Sequence, residues 1–222
     1  MVTELFEAIE QHDLNRLVAL LSSGADPNAT LAKWPEWRAL HAAIEELEHG
    51  GSIEALILLL RYGVDVDGRN KPSDATPLLM ALFRHQMEAV RLLLAAGADP
   101  NVVGDEGDSP LRWCVERDDL ETAEMLLRCG ADKTINGVGG LKGMTALGHA
   151  VSRLNIPVIK LLLGAGADPE ALDANYQTAR EHLPRRETSD LQVWDTAAAL
   201  LNRHSHGSGD RASVAEESTS ED

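Results

Sequence analysis

The chain has 222 residues, of which 44% are hydrophobic, 25% charged and only 4% aromatic. That balance suits a soluble folded chain whose core is built on Leu and Ala, and it favours packed helices over a β-sandwich or barrel. Thirty-six acids against 20 bases give a formal net charge of −16. Such a field repels phosphate backbones and anionic lipid, so it excludes nucleic acid and membrane as expected partners while favouring solubility and basic ones.

The first residues, 1–7, carry acids where a secretory signal carries bases, so a cytoplasmic location is expected. The longest aliphatic run, residues 53–60, is interrupted by Glu54 and falls short of the about 18 apolar residues of a membrane span. Two cysteines, Cys114 and Cys129, allow at most one disulfide and are expected as reduced thiols facing the core between two helices.

In chain order, one signature recurs: Gly24-Ala25-Asp26, Gly63-Val64-Asp65, Gly97-Ala98-Asp99, Gly130-Ala131-Asp132 and Gly166-Ala167-Asp168. Successive glycines stand 39, 34, 33 and 36 residues apart, the period of a repeat architecture. Each signature closes an apolar run, residues 17–21, 56–60, 90–94, 125–127 and 159–163, that predicts an amphipathic helix. The glycine falls where a helix ends in a left-handed residue. Upstream stand Thr76-Pro77-Leu78, Ser109-Pro110-Leu111, Thr145-Ala146-Leu147 and, more loosely, Arg38-Ala39-Leu40-His41. A hydroxyl cap followed by Pro starts a helix. Each unit is therefore a short helix, a tight turn, a longer helix and a glycine stop. One such pair cannot bury both its faces, so neighbours must stack.

In these residues the chain resembles the ankyrin repeat family, whose unit of about 33 residues carries T-P-L-H-x-A near its start. The resemblance covers residues 3–202 and implies an all-α solenoid of stacked helix-turn-helix units with β-hairpin finger loops. The units expected are an N-terminal cap over 1–29, repeats over 30–67, 68–102, 103–135 and 136–171, and a C-terminal cap over 172–202. Residues 203–222, acidic and without core residues, are expected to be a disordered tail. Polar end units favour a monomer. Only His41 holds the family's histidine position; Leu79, Arg112 and Gly148 replace it in the next three units. The hydrogen bonding that this histidine supports is thus expected to be weak outside the second unit.

Unit lengths locate the irregularities. The next signature glycine comes 21 residues after Thr76, Ser109 and Thr145 but 25 after Arg38, which places a four-residue insertion in 45–52. The second finger, 28–37, and the fifth, 134–144, are enlarged. In the last unit Pro184 stops the first helix after 178–183, and Ser189 or Asp190 caps a final helix.

Catalytic and metal-binding motifs are missing from the sequence. None of the eight histidines pairs with another His or Cys at ligand spacing inside the repeats. Gly137-Val138-Gly139-Gly140 lacks the Lys-Ser/Thr of a phosphate loop. No enzyme activity, cofactor or metal is expected.

The resemblance implies instead a scaffold that binds a partner protein through its fingers and the concave face lined by first helices. At one register of those helices stand Arg84, Arg117 and Arg153, a basic ladder on an acidic chain, with Phe83 beside Arg84. Trp34, Trp37, Asp108 and Met144 lie on or at the base of fingers, where Trp and Met would supply apolar anchors. Exchanging the three arginines for Glu is expected to weaken binding and spare stability. One alternative is an inhibitor or immunity-type protein that masks a basic toxin or enzyme with finger acids such as Asp105, Glu106 and Asp108; the other, of a different class, is an enzyme or metal protein with an unrecognised site.

Overall fold

The computed structural model describes residues 1–32, 36–71, 73–105, 107–140 and 142–205. The chain forms two compact units, Met1–Asp105 and Glu106–Asp222, each a set of helix pairs around its own core.

In the first unit the pairs are α1 (Val2–Glu10) with α2 (Leu14–Ser22), α3 (Ala39–Leu47) with α4 (Glu54–Arg61), and α5 (Pro77–Phe83) with α6 (Met87–Ala95). Their starts follow from local chemistry: the Asp13 carboxylate accepts the Arg16 N–H at 2.9 Å, and Thr76 Oγ1 accepts the Leu79 N–H at 3.3 Å with Pro77 in the first turn. Leu5, Phe6, Leu17, Leu40, Ile44, Leu56, Leu59, Leu78, Leu82 and Leu93 are fully buried between the layers. Each such side chain stabilises the fold by about 1.5–3 kcal/mol.

The second unit contains α7 (Pro110–Glu116) with α8 (Leu120–Arg128), then a short antiparallel ribbon of β1 (Val138–Gly139) and β2 (Met144–Thr145). There follow α9 (Ala146–Ser152) with α10 (Ile156–Gly164) and a closing segment. That segment has 3-10 turns over Ala179–His182 and Arg186–Thr188 before α11 (Leu191–Ser205). Asp190 caps α11 by accepting the Gln192 and Val193 N–H groups. Trp194 Nε1 donates to the Pro184 carbonyl at 2.9 Å, tying the helix to the bend before it. The helix runs to Ser205, past the expected end of the folded region at 202; the remainder of the tail lies outside the described residues.

All five signature glycines are left-handed, with φ between 76° and 95°, as the helix stop requires. The tight turns between paired helices place a second left-handed residue in register: His12, His85, Asp118 and Leu154. The second repeat departs, and its insertion turns at Gly50 with φ 91°.

Residues after three of the signatures also join successive repeats. Asn28 Oδ1 accepts the Asp65 N–H at 2.7 Å, Asp67 Oδ1 the Asp99 N–H at 3.0 Å, and Asn136 Oδ1 the Asp168 N–H at 2.9 Å. A side chain that terminates one unit thus holds the same point in the next.

Hairpin pairing is sparser than expected. Among the described residues it occurs in the two enlarged fingers only, as the Thr30–Arg38 bridge and the β1–β2 ribbon. Two of the shorter fingers turn on Asx side chains: Asn70 Oδ1 accepts the Ala75 N–H at 3.0 Å and Asp173 Oδ1 the Gln177 N–H at 2.9 Å. Cys129 also departs from expectation: it is exposed at the end of α8, because the helix stop carries it off the apolar stripe, while Cys114 is buried. Burial pushes the Cys114 thiol up to about 12. No described helix is long and apolar enough to cross a membrane.

Candidate functional site

The arginines at the shared register end their helices as expected, but each is already engaged. In the first unit Arg84 pairs with Glu45 and, through Nη1, with Glu48 Oε2 at 2.7 Å, so acids at the end of α3 hold the guanidinium beyond α5. Phe83 stands next to it, 40% exposed. His12 Nε2 and Glu46 Oε2 lie 2.9 Å apart beside this cluster. In the second unit Arg117 lies over the Trp113 ring, 3.7 Å from its centroid, which is cation–π distance. Arg153 pairs with Asp118, whose other oxygen accepts Asn155 Nδ2 at 2.8 Å. The basic ladder is therefore corrected: Arg84 and Arg153 are compensated by acids of the preceding repeat, and Arg117 is stacked on Trp113 of its own helix.

The residues before the helix caps are also more enclosed than expected. Met144 is only 6% exposed and cannot serve as a surface anchor. Its carbonyl accepts Arg112 Nη1 at 3.3 Å and its backbone pairs with Gly139, so the segment is covered from both sides. Trp37 is half-buried, with its carbonyl accepting the Leu31 N–H at 2.9 Å. Asp108 is half-buried and bonded to Arg112 Nη2 at 3.3 Å. Trp34 and Glu106 lie outside the described residues.

Sequence reasoning misses what happens at the histidine register. His41 Nε2 donates to the Ala75 carbonyl at 3.0 Å. Leu79 packs with Ala75 and Val102 in an apolar cluster. Arg112, also fully buried, reaches the Met144 carbonyl and is flanked by Asp108 and by Glu116 Oε1 at 2.7 Å. Gly148 leaves room for the His182 ring, whose Cδ2 would stand 3.0 Å from an added Cβ. The expectation of weak bonding outside the repeat of residues 30–67 is thus corrected in that of residues 103–135, where a guanidinium replaces the imidazole.

Local electrostatics follow these contacts. Burial pushes the Asp67 carboxyl up, with Asp99 and Asp65 adding to it against the Asp99 N–H it accepts. Burial of Asp173 acts the same way, but it is outweighed by the Gln177 and Asn175 N–H groups and by His182, and its carboxyl sits below the usual range. Burial holds His41 down to about 4. His149 is likewise lowered by burial, with Glu116 opposing. Among the described residues no group of three His, Cys, Asp or Glu side chains could hold a metal ion. The glycines of the fifth finger are used for backbone packing: a Cβ at Gly139 would collide with the Gly107 carbonyl.

Comparison with known proteins places this architecture. A family model described as ankyrin repeats in three copies matches residues 5–104, 47–137 and 88–173. The chain belongs to the ankyrin repeat family, whose domains are in general non-enzymatic scaffolds for protein–protein interaction. Among curated relatives, the mitochondrial disaggregase of Bos taurus is 32% identical over 129 residues, 58% of this chain but 19% of that protein. An ankyrin repeat domain from Acinetobacter baumannii AYE superposes with a TM-score of 0.71 at 26% identity, covering 90% of this chain and 96% of that one. A chain from the complex of the Bdellovibrio bacteriovorus predatory endopeptidase Bd0816 with immunity protein Bd3460 gives a TM-score of 0.61 at 27% identity, covering 91% and 96%.

Proposed function

We propose that the chain is a non-enzymatic interaction module that receives a partner protein on its finger loops and on the exposed ends of its first helices. The observation that carries this reading is the fixing of Arg84, Arg117 and Arg153 at one register by neighbouring acids or a ring. Side chains already oriented lose little rotamer freedom when a partner arrives. Phe83 supplies apolar surface beside Arg84, Trp37 and Asp108 remain candidate contacts at finger bases, and Trp34 remains one by its place in the sequence of the second finger. The partner is a protein rather than nucleic acid or lipid, on the strength of the −16 charge.

The test is site-specific photo-crosslinking in lysate of the source organism, with the reactive amino acid at position 83 or 117 and at exposed Lys160 on α10 as control. One protein captured from both test positions and not from the control is the expected result. Equal capture from all three positions, or none, would overturn the reading.

A second reading, masking of a basic enzyme or toxin, is favoured by the likeness to a chain of the endopeptidase–immunity protein complex. It places Asp105 and Asp108 at the contact and expects affinity to fall steeply with salt. An affinity indifferent to ionic strength would remove it.

A further inference from the structure

Four fingers of the chain turn at the same register, two residues before the residue that precedes each first helix, and all four turning residues are left-handed: Asp74 (φ 45°), Gly107 (74°), Gly143 (60°) and Tyr176 (61°). At two of them the direction a side chain would take is filled by the following finger. A Cβ at Gly107 would stand 2.8 Å from the Val138 carbonyl oxygen, and one at Gly143 would stand 2.6 Å from Ala174 Cβ. The Ala174 N–H also donates to the Gly143 carbonyl at 2.9 Å. The fourth and fifth fingers thus each present a glycine and its carbonyl to the finger that follows.

Tyr176 occupies this register in the last finger, and no further finger follows among the described residues. Its side chain is 82% exposed, and Leu172 on the same finger is 53% exposed. Both features run against the demands of folding alone. Terminal repeats need a polar outer face. A bulky residue held left-handed costs about 1–2 kcal/mol, and so exposed a ring gains little burial in return. The finger is nevertheless tied by one side chain: Asp173 Oδ1 accepts the Asn175 N–H at 2.7 Å and the Gln177 N–H at 2.9 Å, while Oδ2 accepts His182 Nε2 at 2.8 Å.

We propose that this open end of the finger stack is a docking edge for an extended segment of another protein, one that carries Lys or Arg beside an aliphatic or aromatic residue. The segment takes the place of a following finger, lays its apolar residue on Tyr176 and Leu172, and donates a backbone N–H to the Tyr176 carbonyl. Charge selects the occupant. The chain as a whole carries −16, and Asp168 is exposed on this finger, while Asp173 is buried against His182 and Arg180 is already bonded to Asn202; a second copy would bring −16 against −16. The proposal rests on the reading of the chain as a protein-binding module, but it uses a surface apart from the arginine register.

The probe is a displayed library of random 12-residue peptides panned against the intact chain, with selected peptides measured by fluorescence anisotropy. Basic peptides bearing an apolar residue should be enriched, and their affinity should fall at least tenfold on Tyr176→Gly and several-fold on Leu172→Ser. Tyr176→Gly relieves the left-handed strain, so its Tm should be equal to or above that of the wild type, which separates lost binding from lost folding. Peptides that bind Tyr176→Gly as tightly as wild type but lose affinity on Phe83→Ala or Arg117→Ala would overturn the docking edge and leave the proposed function standing. A library from which nothing is enriched would overturn the docking edge alone, since the crosslinking test does not depend on linear peptides.

Discussion

Arg112 donates to the Met144 carbonyl at 3.3 Å, as His41 donates to the Ala75 carbonyl at 3.0 Å, so a guanidinium and an imidazole close the same joint in two repeats. They differ in cost. His41 is buried neutral, whereas the Arg112 charge is buried with Asp108 and Glu116 around it. Removing one member of a buried ion pair costs about 3–5 kcal/mol, because its partners stay behind unpaired. Arg112→Ala should therefore lower stability by about 3 kcal/mol in urea titration, and Arg112→His should recover part of it through the same carbonyl. A loss under about 1 kcal/mol for Arg112→Ala would show that solvent takes over the role.

The pH dependence of His41 has a defined sign. Its folded pKa, about 4, lies below the ordinary histidine value of 6.5, so the unfolded chain binds the extra proton first. Its contribution is complete above about pH 6.5, declines as pH falls towards 4, and changes no further below that. Stability measured across this window should slope downward with acid, and His41→Asn, tested beside wild type, should flatten the slope. An unchanged slope in the variant would assign the effect to other groups.

Two glycines in the second unit should respond oppositely to the same substitution. An added Cβ at Gly148 would meet His182 Cδ2 at 3.0 Å and Thr145 Oγ1 at 3.2 Å, whereas one at Gly164 would meet nothing within 4 Å. Gly164→Ala, at the end of α10, should raise stability by up to about 1 kcal/mol through helix propensity. Gly148→Ala should lose that gain to crowding and lower Tm. Equal shifts of the two melting curves would contradict the packing described at Gly148.

Reversing the three register arginines is not neutral to the fold. Arg84→Glu sets a third carboxylate against Glu45 and Glu48, and Arg153→Glu sets one against Asp118. The triple Glu variant should melt several degrees lower at low ionic strength and recover part of the loss in high salt, because exposed like charges are screened. Arg→Gln exchanges should stay near wild type and are the better probes of binding. A Glu variant as stable as wild type at low salt would mean that these pairs contribute nothing.

The repeat frame is legible in the sequence because its signals are local and redundant: Gly24, Gly63, Gly97, Gly130 and Gly166 stop helices, and Thr76, Ser109 and Thr145 start them. What escapes is pairing between neighbouring repeats. Nothing in the composition of a helix end tells that Glu45 will meet Arg84, or that Met144 will be covered by Arg112, since these contacts join residues about a repeat apart. Tyr176 carries a readable signal that family matching passes over. It stands two residues before Thr178, where the two preceding fingers place Gly107 and Gly143.

The two cysteines give the molecule an uneven chemistry that is useful at the bench. Cys114 is sealed between helices with its thiol pushed up to about 12, while Cys129 is exposed where α8 ends. A maleimide dye added to the native chain at neutral pH should therefore attach at one position only. It would report from the end of a second helix, at a residue that is not among those proposed to meet a partner, so affinities can be measured without altering the sequence.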